Sequence, residues 1–93
     1  MPHEVRYSDE AVEDLKKLRV FDRTAILDQI EQVLGVNPTL ESKAKVKLLR
    51  QPAPSQYRLR VADFRIFYDV KEAVQIVRIL SKEESVRYLE GEQ

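Results

Sequence analysis

The residues best equipped for chemistry lie in one stretch, Tyr57-Arg58-Leu59-Arg60-Val61-Ala62-Asp63-Phe64-Arg65-Ile66-Phe67-Tyr68-Asp69-Val70. Apolar and basic positions alternate on both sides of Ala62-Asp63, which reads as two strands joined by a two-residue turn. In that register Arg60 stands opposite Arg65. Like charges directly opposite across a sheet cost stability. Arg58, Arg60 and Arg65 therefore point to an anionic partner, and the planar guanidinium fork suits a phosphate. Phe67 shares their face, and aromatic rings beside such a patch stack on unpaired bases. The polyanion expected here is RNA.

Cleaving RNA by transesterification needs more than anion binding. The 2′-hydroxyl must lose a proton, the phosphorane charge must be stabilised, and the leaving oxygen must be protonated. Arginines stabilise charge but are poor bases. His3 is the only histidine and there is no cysteine, so a His-based triad, a catalytic thiol and thiolate metal sites are set aside. No metal or cofactor is expected. Tyr88, Lys82 and the set Lys43, Lys45 and Lys47 remain for moving a proton, and those three lysines also count as RNA-binding candidates beside the arginines. On residue chemistry alone, the patch supports binding better than catalysis.

Charge is distributed to match. The formal net charge is zero, but residues 42–68 hold 7 basic and 1 acidic side chains, net +6. Residues 1–41 hold 5 basic and 9 acidic side chains, net −4, and residues 69–93 hold 4 and 6, net −2. A basic middle between acidic flanks is the signature of a local anion site, hidden by the overall balance. The 93 residues, 43% of them hydrophobic, predict one domain over 1–93 with a small core. No apolar run reaches the ~18 residues of a membrane span. The lack of cysteine fits a reducing cytosol, so a cytoplasmic protein is expected.

Local signals set the strands and helices around the patch. Glu4–Tyr7 reads as a short edge strand. Ser8 or Asp9 caps a helix over Asp9–Leu18, with Ala11, Leu15 and Leu18 on its apolar face. Asp22 caps a second helix, with Ile26, Ile30, Val33 and Leu34 as its stripe and Gly35 and Asn37-Pro38 ending it. Lys43–Lys47 reads as a short strand or an extended lead-in. Strands follow over Tyr57–Val61, Phe64–Val70 and Ala73–Leu80, and Ser81 caps a last helix with Glu84 as its capping-box partner. The short links make these strands antiparallel neighbours. The fold class is α+β: two N-terminal helices on one face of a small, mostly antiparallel sheet, then a short C-terminal helix. Leu59, Val61, Phe64, Ile66, Val77 and Ile79 form the expected apolar set under the helices. With Lys71-Glu72 as a two-residue turn, Arg78 stands opposite Arg65 and becomes a fourth arginine of the open face.

The hairpin resembles the central hairpin of the RelE/ParE toxin superfamily, which reads Y-R-x-R-x-G-D-[YF]-R-[VI]-x-Y. Ala11-Val12-Glu13-Asp14-Leu15-Lys16-Lys17-Leu18 is similar to the family's A-x-x-D-L-x-x-L signature. The resemblance covers nearly the whole chain. It implies a toxin of a bacterial type II toxin–antitoxin pair, held in a hetero-oligomer by its antitoxin. For the RelE branch it implies a metal-independent endoribonuclease that cuts mRNA in the ribosomal A site. Carried over by position, Arg58 and Arg60 match the basic residues of the first hairpin strand, and Arg65 the arginine on the scissile phosphate. Tyr88 matches the C-terminal tyrosine, the suggested base. Lys82 stands where many members have arginine; Ser81-Lys82 replaces a frequent His-Arg, and Ala62 the turn glycine. Lysine keeps the charge and loses the fork. Two rival expectations share the fold: a non-enzymatic ParE-like inhibitor of DNA gyrase, and a degenerate member that only binds its antitoxin.

Overall fold

The computed structural model describes residues 3–42 and 45–91. The chain begins with β1 (Val5–Tyr7), and Ser8 then N-caps α1 (Asp9–Lys16) by accepting the Ala11 N–H at 3.0 Å. Asp9 and Glu10 in the first turn complement the helix dipole. The second helix, α2 (Val20–Gln29), starts earlier than expected: Arg19 is its cap, and Asp22 lies inside the first turn, 3.6 Å from the Arg19 guanidinium. It runs into a π-helical turn, Ile30–Leu34, that ends at Gly35. The strands β2 (Val46–Leu48), β3 (Tyr57–Val61), β4 (Phe64–Val70) and β5 (Val74–Ser81) follow, then α3 (Lys82–Leu89).

The sheet order is β1-β5-β4-β3-β2, with β1 parallel to β5 and every other pair antiparallel. On one face α1, α2 and the π-helical turn bury Ala11, Ile26, Ile30 and Leu34 against Leu59, Ile66, Tyr68, Ile76 and Ile79. The third helix returns over the other face, where Tyr88 meets Phe67. Its start is set by the expected capping box: Ser81 and Glu84 bond each other's backbone N–H. That face is therefore not fully open, because α3 covers the part of it next to β4 and β5.

The β3–β4 hairpin has the register read from the sequence, Arg60 opposite Arg65 and Val61 opposite Phe64. Ala62 turns the chain at φ 51°, a left-handed conformation in which glycine is unstrained. The β4–β5 pairing differs from expectation. Its link holds one residue more than assumed, so Val70 pairs with Val74, and a bulge at Val77 adds a second shift. A one-residue slip turns side chains to the opposite face. The two slips together restore Arg78 to the Phe67 face but move its partner from Arg65 to Phe67. Between them Ile76, not Val77, joins the core.

Tyr68 ties the core to the loop after α2. Its ring stacks on Tyr57 at 5.4 Å, and its hydroxyl donates to the Pro38 carbonyl at 2.6 Å. Burial, then Tyr57, push this phenol far above its ordinary value of 10.0. The folded state thus holds the proton more tightly than the unfolded chain. That contribution is complete below pH 10 and is lost as pH rises beyond it. Tyr7 and Tyr88 shift in the same direction. Urea denaturation followed from pH 8 to 11 is expected to show falling stability above pH 10. Tyr68→Phe should cost about 1 kcal/mol at neutral pH and make that alkaline decline shallower.

Candidate anion-binding face

The face under α3 is built in rows across the strands. Nearest the hairpin turn stand Arg60, exposed, and Arg65, only 8% exposed. The Arg65 Nη1 donates to the Ala62 carbonyl at 3.1 Å and to the Phe64 carbonyl at 3.0 Å, so the guanidinium curls back toward the turn. Burial first, then the Arg60 charge, push its pKa down, while Asp63 and Glu83 pull it up. The next row is Lys47, Arg58, Phe67 and Arg78. Arg58 is half-buried, and its Nε is buried with no hydrogen-bond partner. Burial, then Arg65, then Arg60, lower its pKa. Arg58 and Arg65 are thus both disfavoured as cations by burial and by neighbouring arginines, and no carboxylate forms a salt bridge with Arg58, Arg60 or Arg65 among the described residues.

The expected fourth arginine is different in kind. Arg78 is neutralised by Asp14 of α1: its Nε donates to Oδ2 at 2.8 Å and its Nη2 to Oδ1 at 3.0 Å. The shifted register carries it away from Arg65, so it is not a free cation of the patch. Phe67 is also corrected. It is 0% exposed and packs edge-to-face on Tyr88 at 5.0 Å, which leaves it no surface for stacking on a base. Tyr88 is held between Phe67 and the Arg78 guanidinium, which lies 5.6 Å from its ring centroid. Burial, the largest influence, raises the Tyr88 pKa; Arg78 lowers it, and Asp69, Asp14 and Glu10 raise it. With Pro52 and Pro54, Arg78 and Tyr88 line a cleft of ≈ 480 Å³.

The lysines divide. Lys82 is exposed at the start of α3, and its backbone N–H donates to the Asp63 carbonyl at 2.7 Å, which brings it beside the hairpin turn. Lys47 stands opposite Arg58. Lys45 is exposed, and its Nζ donates to Gln29 at 2.6 Å. Lys43 lies outside the described residues. Among the described residues, no group of His, Cys, Asp or Glu is placed to hold a metal, and no helix is long and apolar enough to cross a membrane.

Residues 5–86 match the family model of the ParE toxin of the type II toxin–antitoxin system parDE. The chain belongs to this toxin family, within the RelE/ParE superfamily. Its fold is similar to that of the RelBE2 toxin–antitoxin complex of Mycobacterium tuberculosis, with a TM-score of 0.75 and 24% identity over 87% of this chain and 92% of that one. It is also similar to the RelB–RelE complex of Methanococcus jannaschii, with a TM-score of 0.66 and 25% identity over 88% and 95% of the two chains. For the intact RelBE complex of Escherichia coli the TM-score is 0.67, with 18% identity over 85% and 95%. No curated protein sequence matches this chain.

In this toxin the arginine face groups guanidinium donors on neighbouring strand positions in a partly buried setting, chemistry that suits an anionic phosphate. It offers little general-base capacity, because the raised Tyr88 phenol stays protonated at neutral pH. A protonated phenol suits donation to a leaving oxygen better than abstraction from a hydroxyl. Asp14 is a functional position that charge patterning alone does not single out. The signal was present in the A-x-x-D-L-x-x-L segment: an acid amid the apolar spacing of a helix lies near the buried face and needs a partner there.

Proposed function

We propose that this toxin is a metal-independent endoribonuclease of the RelE type that cuts mRNA on the ribosome. The observation that carries the reading is the Arg58–Arg60–Arg65 cluster, which no salt bridge holds among the described residues, with the Arg58 Nε buried and unpartnered. A fold that retains this repulsion gains it back when a phosphate docks. Arg60 and Arg65 hold the scissile phosphate and stabilise the phosphorane, and Arg58, Lys47 and Lys82 add positive potential around it. Tyr88 moves the proton, with its neutral phenol as the resting form. The 2′-oxygen attacks phosphorus and the bond to the 5′-oxygen breaks; the Tyr88 phenol gives its proton to that leaving oxygen, and the proton released by the 2′-hydroxyl passes through water to restore the phenol. The ribosome supplies the alignment, which suits a site poor in conventional bases.

The structural relatives include complexes of toxin with antitoxin, which supports an antitoxin partner here. An acidic antitoxin segment over the arginine face relieves the Arg60–Arg65 repulsion, so the complex melts well above the free toxin.

Membership in the ParE toxin family keeps a second reading in view, a ParE-like inhibitor of DNA gyrase that acts without catalysis. One experiment separates them. Purified toxin is added to an in vitro translation reaction on a defined mRNA, and RNA ends are mapped by primer extension with and without ribosomes. Cuts within A-site codons that require ribosomes are the expected result. Intact mRNA overturns the nuclease reading, and a gyrase supercoiling assay on the same preparation then tests the second.

A further inference from the structure

The C-terminal helix is secured unequally at its two ends. Its start continues directly from β5 and is fixed by the Ser81–Glu84 capping box and the Lys82 N–H on Asp63. Toward its end, Tyr88 rests on Phe67 and on the Arg78 guanidinium. Arg78 would be a poor support alone, since its side chain is 31% exposed. What holds it is the carboxylate of Asp14, 64 residues earlier in the chain.

That carboxylate is placed by the sheet edge. After Tyr7, β1 stops pairing with β5, and α1 takes over the same edge. The Ser8 hydroxyl donates to the Val77 carbonyl at 2.7 Å. Asp14, 8% exposed, accepts the Ile79 N–H at 2.9 Å and both Arg78 nitrogens. The bulge at Val77 lets Arg78 reach the Tyr88 side while Ile79 still faces the core. A bidentate carboxylate–guanidinium pair fixes the plane of the guanidinium as well as its position.

We infer that Asp14 is a positioning residue of this toxin: through Arg78 it sets where Tyr88 is held against the arginine face, linking the first helix to the last. The functional half of this inference rests on the nuclease reading above. The positional half does not.

The test uses Asp14→Asn, which keeps an acceptor for the Ile79 N–H but presents an amide donor and no charge to the Arg78 fork. In NMR spectra of the folded toxin, the Phe67–Tyr88 ring cross-peaks are expected to disappear, while the Tyr57–Tyr68 cross-peaks persist. Asp14→Glu, if its longer arm re-forms the fork, should restore them in part. Unchanged Phe67–Tyr88 cross-peaks in folded Asp14→Asn overturn the inference, whatever the melting temperature does. In the ribosome assay, Asp14→Asn should slow cleavage by roughly 10- to 100-fold, as expected for a displaced reacting group. It should slow cleavage no further in a Tyr88→Ala background, although the melting temperature drops in both. Equal slowing in both backgrounds, or no slowing at all, overturns the functional half by making Asp14 purely structural. If the wild-type toxin leaves mRNA intact, the nuclease reading falls, and the cross-peaks alone decide whether Asp14 positions Tyr88.

Discussion

Arg65→Ala is expected to remove ribosome-dependent cleavage, lowering the rate by about 10²–10³-fold, the usual cost of deleting one preorganised donor to a developing charge. Arg65 is the most enclosed cation of the face, and its guanidinium is already held by the Ala62 and Phe64 carbonyls. Those two bonds orient it before any substrate arrives, which is where electrostatic stabilisation has its largest effect. They also give it a structural share. The variant loses this pair of bonds from one charged nitrogen, about 1.5–3 kcal/mol, and that loss is offset in part because the repulsion from Arg60 across the hairpin goes with it. The expected melting-temperature change is therefore small beside the loss of rate. Arg65→Lys keeps charge without the fork and should fall between the two. Primer extension and a thermal melt on the same samples check both statements. Cleavage that survives Arg65→Ala would remove this residue from the site, and a toxicity that instead depends on α3 would favour gyrase as the target.

Arg58→Met is expected to do the opposite to stability while also disabling the toxin. The Arg58 Nε is buried and unpartnered, and an unsatisfied buried polar group costs about 1–3 kcal/mol. Two neighbouring arginines disfavour its charge. Methionine retains an unbranched side chain that fills irregular space without the charge. A gain of about 1–2 kcal/mol follows, roughly 4–16 °C in melting temperature for a chain of this size. Added sulfate or phosphate should stabilise the wild type more than the variant, because the anion neutralises a cluster that the variant has lost one member of. A melting temperature below wild type would mean that Arg58 is held by favourable contacts, and would remove the main support for an anion in the resting site.

The arginine patch is legible in the sequence because its signals are local. Alternation of Arg58, Arg60 and Arg65 with Leu59, Val61 and Ile66 depends only on the strand period, and Ala62-Asp63 only on a tight turn. Both signals lie within a few residues of each other. The Ser8 cap and the Ser81–Glu84 box are equally local. Asp22 misled because its N-cap preference competes with simple first-turn placement, and the chain enters α2 three residues earlier, at Arg19. Lys82 was placed at the first turn of α3 by the same local reasoning.

Readable along the chain are the hairpin strands, the sheet face that carries arginines, and the charge imbalance that makes that face costly in isolation. Each is set by side-chain type at a fixed period along one segment. Which arginines lack a salt-bridge partner depends instead on long-range contacts. Arg78 and Arg58 look alike in the sequence, each set among apolar strand residues, yet one is paired with Asp14 and the other has a buried unpartnered nitrogen. The difference comes from the extra link residue, the bulge at Val77 and the return of α3 over Phe67. These depend on contacts between residues far apart in the chain, where burial and desolvation, rather than local period, choose the arrangement.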